Sequence, residues 1–159
     1  MSTPSWRLRN AEGRDREFLY ALNEATMRAH VERIWGWDDS EQAAFFDQRF
    51  EPGVWQVIEA GDVDVGVLIV QDNDDELYLA EIEILPEWQG RGIGSAVVHS
   101  LMRQAASRQK PLTLRVLHVN ERARTLYERL GFRPFREIET HTYLRWDGAT
   151  GVRSAIFDR

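Results

Sequence analysis

Apolar positions along this chain change their spacing from one stretch to the next, and that spacing sorts the sequence into strands and helices. Residues 6–10, WRLRN, alternate as a short strand does, whereas residues 16–35 place Phe18, Leu22, Ala25, Ala29 and Ile34 roughly along one helical stripe. Asp38, Asp39 or Ser40 is placed to cap a second helix over residues 40–50, which Pro52 and Gly53 terminate. Three β-rich runs follow at 54–60, 63–71 and 76–85, separated by Gly61-Asp62 and by the acidic turn at residues 72–75, an order that predicts an antiparallel meander. Ile93, Val97, Val98, Leu101, Met102 and Ala105 restore helical spacing until Lys110-Pro111 stops it. Residues 112–117, LTLRVL, read as a strand. Residues 120–130 read as a helix with Asn120 as N-cap and Gly131 at its C-terminus, and 132–139 with 140–146 as a closing pair of strands. From Gly148 onward the polar, glycine-containing residues suit a loose tail or an edge strand.

This succession makes a mixed α/β (α+β) domain. The step from the strand at 76–85 through a helix to the strand at 112–117 calls for a right-handed parallel crossover inside a sheet otherwise built of antiparallel neighbours. The 159 residues, 43% of them hydrophobic, suffice for one core, and no repeat or Pro/Gly-rich linker divides them, so residues 1–159 are read as a single domain.

Charge and composition narrow the chemistry. Twenty Lys and Arg against 26 Asp and Glu leave a net charge of -6, which repels nucleic acid and anionic membrane, so neither is an expected partner. The chain has no cysteine, which excludes disulfides, thiolate zinc sites and a thiol nucleophile of its own. Its four histidines, at 30, 99, 118 and 141, lack ligand spacing, and no metal is expected. The N-terminus carries no charged-then-apolar signal pattern and no apolar run approaches the ~18 residues of a membrane span, so a cytoplasmic protein is expected.

Within PEWQGRGIGSAVV, residues 86–98, three glycines alternate where a helix begins, against helix propensity. A helix N-terminus leaves about four N–H groups unpaired and carries partial positive charge. Without β-carbons at Gly90, Gly92 and Gly94, the N–H groups of residues 90–95 open to an anion such as a phosphate or pyrophosphate. A Walker loop is excluded because no Gly-Lys-Ser/Thr follows, and a dinucleotide fingerprint because position 95 is serine. A glycine-rich turn without a ligand is the plainer reading of these residues alone. Downstream, residues 120–132 carry N-x-x-A-x-x-L-Y-x-x-x-G-F, in which Asn120 and Tyr127 fall on nearly the same helix face.

Taken together, these stretches resemble the GNAT superfamily of acetyl-CoA-dependent N-acetyltransferases. Gln89-Gly90-Arg91-Gly92-Ile93-Gly94 matches its Q/R-x-x-G-x-G/A signature, residues 120–132 match its second cofactor motif, and the element order is similar over about residues 6–146. The resemblance implies a mostly antiparallel sheet of about seven strands with flanking helices, whose parallel strand pair splays to form the acetyl-CoA cleft. It implies main-chain contacts from Ile82, Glu83 and Ile84 to the pantetheine arm, and a pyrophosphate held by Gln89, Gly90, Arg91, Gly92, Ile93, Gly94 and Ser95, with Asn120 and Tyr127 also at the cofactor. An amine acceptor on a small molecule, peptide or protein attacks the thioester directly, and Tyr127 matches the tyrosine that protonates the departing thiolate in many members. A homodimer follows family habit.

One departure concerns the base. Ribosomal-protein alanine acetyltransferases of the superfamily carry a glutamate five residues before the asparagine, where this chain has Arg115. Glu81 and Glu83, alternating with Ile82 and Ile84 on one strand face, are the substitutes, Glu81 ahead of Glu83 because an acid at that family position often borders the acceptor site. Two solvated carboxylates on a sheet face are the plainer reading. Trp35, Trp37 and Asp38 are the acceptor-side candidates: two tryptophans around Gly36 form an aromatic wall and an aspartate attracts a cation, or else the pair plugs the joint between two helices and the aspartate caps one. Arg115 also motivates an alternative, a non-catalytic acyl-CoA-binding regulatory module.

Overall fold

The computed structural model describes residues 2–148. Along the chain run β1 (Arg7–Asn10), α1 (Arg16–Ile34), α2 (Asp39–Arg49), β2 (Gln56–Ala60), β3 (Val63–Asp72), β4 (Leu77–Ile84), α3 (Ile93–Ser107), β5 (Leu112–Leu117), α4 (Glu121–Arg129), β6 (Arg133–Glu137) and β7 (His141–Trp146). Every element the apolar spacing predicts is present. The seven strands are hydrogen-bonded in the order β1-β2-β3-β4-β5-β7-β6, with β4 and β5 parallel. The tail expected beyond Gly148 lies outside the described residues. Among the described residues no helix is long and apolar enough to cross a membrane.

The described chain forms two compact units, one of residues 2–69 with 81–96 and one of residues 70–80 with 97–148. In the first, β1 pairs antiparallel with β2, and β2 with β3, the latter register shifting between Ile58 and Glu59. Val57, Ile58, Val65, Val67 and Leu68 form its buried sheet layer, with Leu19 and Leu22 of α1 also buried. Phe46 of α2 meets Tyr20 and Trp55 edge-on, with ring centroids 5.3 and 5.5 Å away, joining α1, α2 and the entry to β2 in one aromatic cluster. Arg9 clasps Asp15 with two hydrogen bonds of 2.9 and 2.8 Å and also reaches Asp64 at 3.1 Å, so β1, the start of α1 and β3 share one partly buried ion network.

One difference from the sequence reading lies in α1. Ala25 and Ala29 are exposed, and the inward face turns instead through Leu19, Leu22, Asn23 and Thr26. Alanine serves a helix well on its solvent side, since it favours the helical backbone without needing burial. Two polar residues sit inward, which an apolar-spacing argument passes over.

In the second unit, β4 and β5 pair in parallel from Leu77 opposite Leu112 to Leu79 opposite Leu114, β5 pairs antiparallel with β7, and β7 with β6. Leu77, Leu112, Leu114 and Leu144 are fully buried, and Val97, Val98, Leu101, Met102 and Ala105 of α3 are buried as their spacing predicts. That helix ends where Gln109 adopts a left-handed conformation at φ 56° and Lys110 N–H returns to Ala105 O at 3.0 Å, ahead of Pro111.

Candidate active site

The glycine-rich stretch is a turn that delivers the chain into α3. Gly90 and Gly92 adopt φ of 76° and 89°, a left-handed region that side chains rarely enter, while Gly94 lies inside the first turn of α3. A Cβ on Gly92 would come 2.5 Å from Thr3 Oγ1, whereas one on Gly94 would meet nothing nearer than Ile84 Cγ1 at 4.0 Å. The two glycines therefore have different reasons: Gly92 shapes the backbone, and Gly94 keeps a helix entrance bare. Gln89 donates its side-chain amide to Ile84 O at 2.9 Å, tying the turn to the end of β4, and the Arg91 guanidinium stacks 4.4 Å over the Trp88 ring. Ala96 N–H is the donor to Gly92 O, so the N–H groups just before it face outward from the helix start, and Ser95 is half-buried beside them. Bare backbone, a fresh helix N-terminus and a nearby Arg fit the diphosphate of a nucleotide-derived ligand.

The same unit holds the acids. Ile82 and Ile84 are half-buried and point opposite to Glu81 and Glu83, whose carboxyl groups meet on one face of β4. Glu83 is 6% exposed. Asn23 Nδ2 donates to its Oε2 at 3.1 Å, and the Thr26 hydroxyl, 3.1 Å from Leu22 O, also faces it. Burial and the neighbouring Glu81 carboxylate push the Glu83 carboxyl well above the usual glutamate range, against a smaller opposing pull from Asn23 and Thr26. Glu81 is less enclosed and accepts from Arg49 Nη2 at 3.0 Å. On β3, Gly66 has no side chain because a Cβ there would collide with the Glu83 carbonyl oxygen. The picture of two solvated carboxylates on a sheet face does not hold for Glu83.

Asn23, Thr26, Arg49 and Gly66 escaped the sequence reading. A signal existed for two of them: Asn23 and Thr26, three apart, are polar on the α1 face that also carries Leu19 and Leu22. Arg49 and Gly66 gave none, since their roles rest on contacts 32 and 17 residues away in sequence.

The other sequence candidates stand as follows. Asp38 caps α2, accepting from Glu41 N–H at 2.9 Å. Trp37 donates its indole N–H to Asp39 at 2.9 Å and lies under the Arg28 guanidinium, 5.5 Å from its centroid. Trp35 is 60% exposed and so plugs no joint between α1 and α2. In the second unit, Asn120 caps α4, accepting from Ala123 N–H at 3.2 Å, and Arg115 is exposed on β5 opposite Tyr143. Tyr127 is buried on α4, edge-on to Phe132 at 5.6 Å, and burial pushes its phenol up to about 12. A phenol so placed keeps its proton at any neutral working pH. Among the described residues no group of three or more His, Asp or Glu side chains is placed to hold a metal ion.

Comparison with known proteins bears on this arrangement. Residues 16–132 match the acetyltransferase (GNAT) family model. The chain is 36% identical over 73 residues to a thialysine N-epsilon-acetyltransferase of Bos taurus and 34% to that of Sus scrofa, each match covering 45% of this chain and 43% of the relative, so it spans less than half of their length. Among solved structures, the PaiA N-acetyltransferase of Thermoplasma acidophilum, in complex with coenzyme A, superimposes with a TM-score of 0.73 at 12% identity, covering 90% of this chain and 99% of that one. The ribosomal-protein-S18-alanine N-acetyltransferase of Escherichia coli gives a TM-score of 0.64 at 20% identity, covering 89% and 92%. These structures share the fold. With the family model spanning well over half of the sequence, the chain belongs to the GNAT family of acetyltransferases.

Proposed function

We propose that this protein transfers the acetyl group of acetyl-CoA directly to a primary amine, with Glu83 and Glu81 as the proton-accepting side and Tyr127 as the proton-donating side. The observation that carries this reading is the buried Glu83, enclosed with Glu81 on β4 and held by Asn23, in the same unit as the glycine turn. A buried carboxyl costs stability that no packing role requires, whereas a carboxylate whose proton affinity is raised by burial is a stronger acceptor for the proton of an alkylammonium. The acyl donor supplies an activated thioester; the chain holds its diphosphate at residues 89–95 and presents the main chain of residues 82–84 to its arm. Glu83 takes one proton from the ammonium, and the amine nitrogen bonds to the acyl carbon as the carbon–sulfur bond breaks. The Tyr127 phenol gives a proton to the departing thiolate, and the second proton lost by the acylated nitrogen restores that phenol through solvent. No acyl-enzyme is involved, and the chain has no cysteine to form one.

The acceptor class proposed is an aliphatic amine on an amino acid or similar small molecule, supported by the partial match to thialysine N-epsilon-acetyltransferases. Arg115, standing where ribosomal-protein alanine acetyltransferases have their glutamate, argues against a protein N-terminus. Trp35, Trp37 and Asp38 remain the proposed acceptor-side wall, with Arg28 already over Trp37, so an arriving cation meets an occupied ring face there. The test is release of free thiol from acetyl-CoA with a panel of thialysine, lysine, diamines and peptide N-termini. Thiol release restricted to the small aliphatic amines is the expected result. Tight coenzyme A binding without turnover on any amine would instead identify an acyl-CoA-binding module.

A further inference from the structure

Arg49 has no task in the chemistry proposed so far, yet it is the cation set against the acid pair. It is the last residue of α2, its Nη2 donates to Glu81 Oε2 at 3.0 Å, and its guanidinium lies over the rings of Phe45 and Trp55 at 5.2 and 5.7 Å from their centroids. The two rings fix the direction of a guanidinium that is still 37% exposed, so that its charge is held against Glu81. Around the pair α1 presents the uncharged side chains of Asn23 and Thr26, and β3 presents the bare backbone of Gly66. Two enclosed carboxyl groups in contact cannot both ionise without a compensating cation.

We propose that Arg49 is a positioning residue that sets the proton occupancy of the Glu81–Glu83 pair: by neutralising Glu81 it allows Glu83 to release its proton and stand ready as a carboxylate. This rests on the amine acetyltransferase reading. In that reaction one ammonium N–H proton moves to the Glu83 carboxylate, the freed nitrogen pair forms the bond to the acyl carbon, and the carbon–sulfur pair leaves with the thiolate, which Tyr127 protonates. The second proton lost by the acylated nitrogen returns through solvent to the Tyr127 phenolate. A pair that still holds its own proton cannot take the one on the acceptor. Arg49 therefore governs the pH at which the cycle starts and leaves the later steps unchanged.

The experiment compares wild type, Arg49→Gln, Arg49→Lys and Glu81→Gln, with folding checked by circular dichroism. Two readouts are taken: the pH profile of kcat/KM, and the side-chain carboxyl titration of Glu83 by NMR on protein carrying carbon-13 glutamate, with Glu83→Gln used to assign the resonance. Arg49→Gln is expected to move both the ascending limb and the Glu83 midpoint to higher pH by about one unit, a ~10-fold loss of kcat/KM on the acid side that closes at the plateau. Arg49→Lys restores most of the shift. Glu81→Gln, which spares the Arg49 packing, moves the Glu83 midpoint to lower pH and keeps the proposal testable even if Arg49→Gln does not fold. A Glu83 midpoint unmoved in Arg49→Gln or in Glu81→Gln, or a kcat/KM loss equal at every pH, would overturn it. If wild type acetylates no amine, the acetyltransferase reading fails, while the NMR titration still decides what Arg49 does to Glu83.

Discussion

The side chain of Asn23, midway along α1, donates to the carboxyl of Glu83 on β4 across 60 residues of sequence, at 3.1 Å. One hydrogen bond thus fixes the helix to the strand at the point where the candidate base sits. It also offers the carboxyl a partner in either protonation state, since the amide donates to an oxygen that accepts whether or not its neighbour carries a proton. Helix position and base orientation are the same structural fact.

Glu83→Gln should separate function from stability. Acetyl transfer falls by about 10²–10⁴-fold, the range for removing a general base. Stability moves the other way: the folded state holds the Glu83 proton more tightly than the unfolded chain, so this stabilising contribution is complete below the unfolded value and is lost as pH rises through the folded one. The glutamine variant has no proton to lose and gains on wild type over that window, by up to about 1.4 kcal/mol per pH unit. Chemical denaturation across the pH range checks this.

Tyr127→Phe keeps the ring against Phe132 and removes only the hydroxyl. Turnover is expected to drop ~100-fold or more with coenzyme A affinity nearly unchanged, read by steady-state kinetics beside calorimetry. Equal loss in both would assign Tyr127 to binding.

Gly92 and Gly94 should respond differently to alanine. At Gly92 the substitution imposes a left-handed alanine, about 1–2 kcal/mol, and drives a methyl into Thr3. Gly94→Ala meets nothing nearer than Ile84 Cγ1 at 4.0 Å at ordinary helical geometry, so the fold tolerates it and any loss of coenzyme A binding there reports the methyl at the helix entrance. Coenzyme A titration of both variants is the measurement, with weakened binding expected for Gly92→Ala.

Asp15→Asn tests the ion network of the first unit. Arg9 holds the Asp15 carboxyl below the usual aspartate range, so its contribution is present above the unfolded value and disappears as pH falls through the folded one. Breaking a fully buried pair costs about 3–5 kcal/mol; here, with Arg9 partly in solvent, about 2–3 kcal/mol is expected at neutral pH, vanishing in acid. Thermal melts at both extremes distinguish this from a packing defect.

Much of the molecule was legible in the order of its residues, because strands, helices and their caps are local decisions. Spacing placed α3 and β5, Asn120 capped α4, and the glycines announced a helix entrance, each settled by neighbours a few residues away. The acids were visible as an alternating pair, but not which of them is enclosed. That depended on α1 turning Asn23 and Thr26 inward and leaving Ala25 and Ala29 in solvent, on α2 ending with Arg49 against Glu81, and on Gly66 leaving room beside Glu83. A carboxyl acquires its proton affinity from groups within a few ångströms, most of them distant in sequence. The sequence therefore determined the elements and the family; only the tertiary structure decided which glutamate became the buried one with the raised proton affinity.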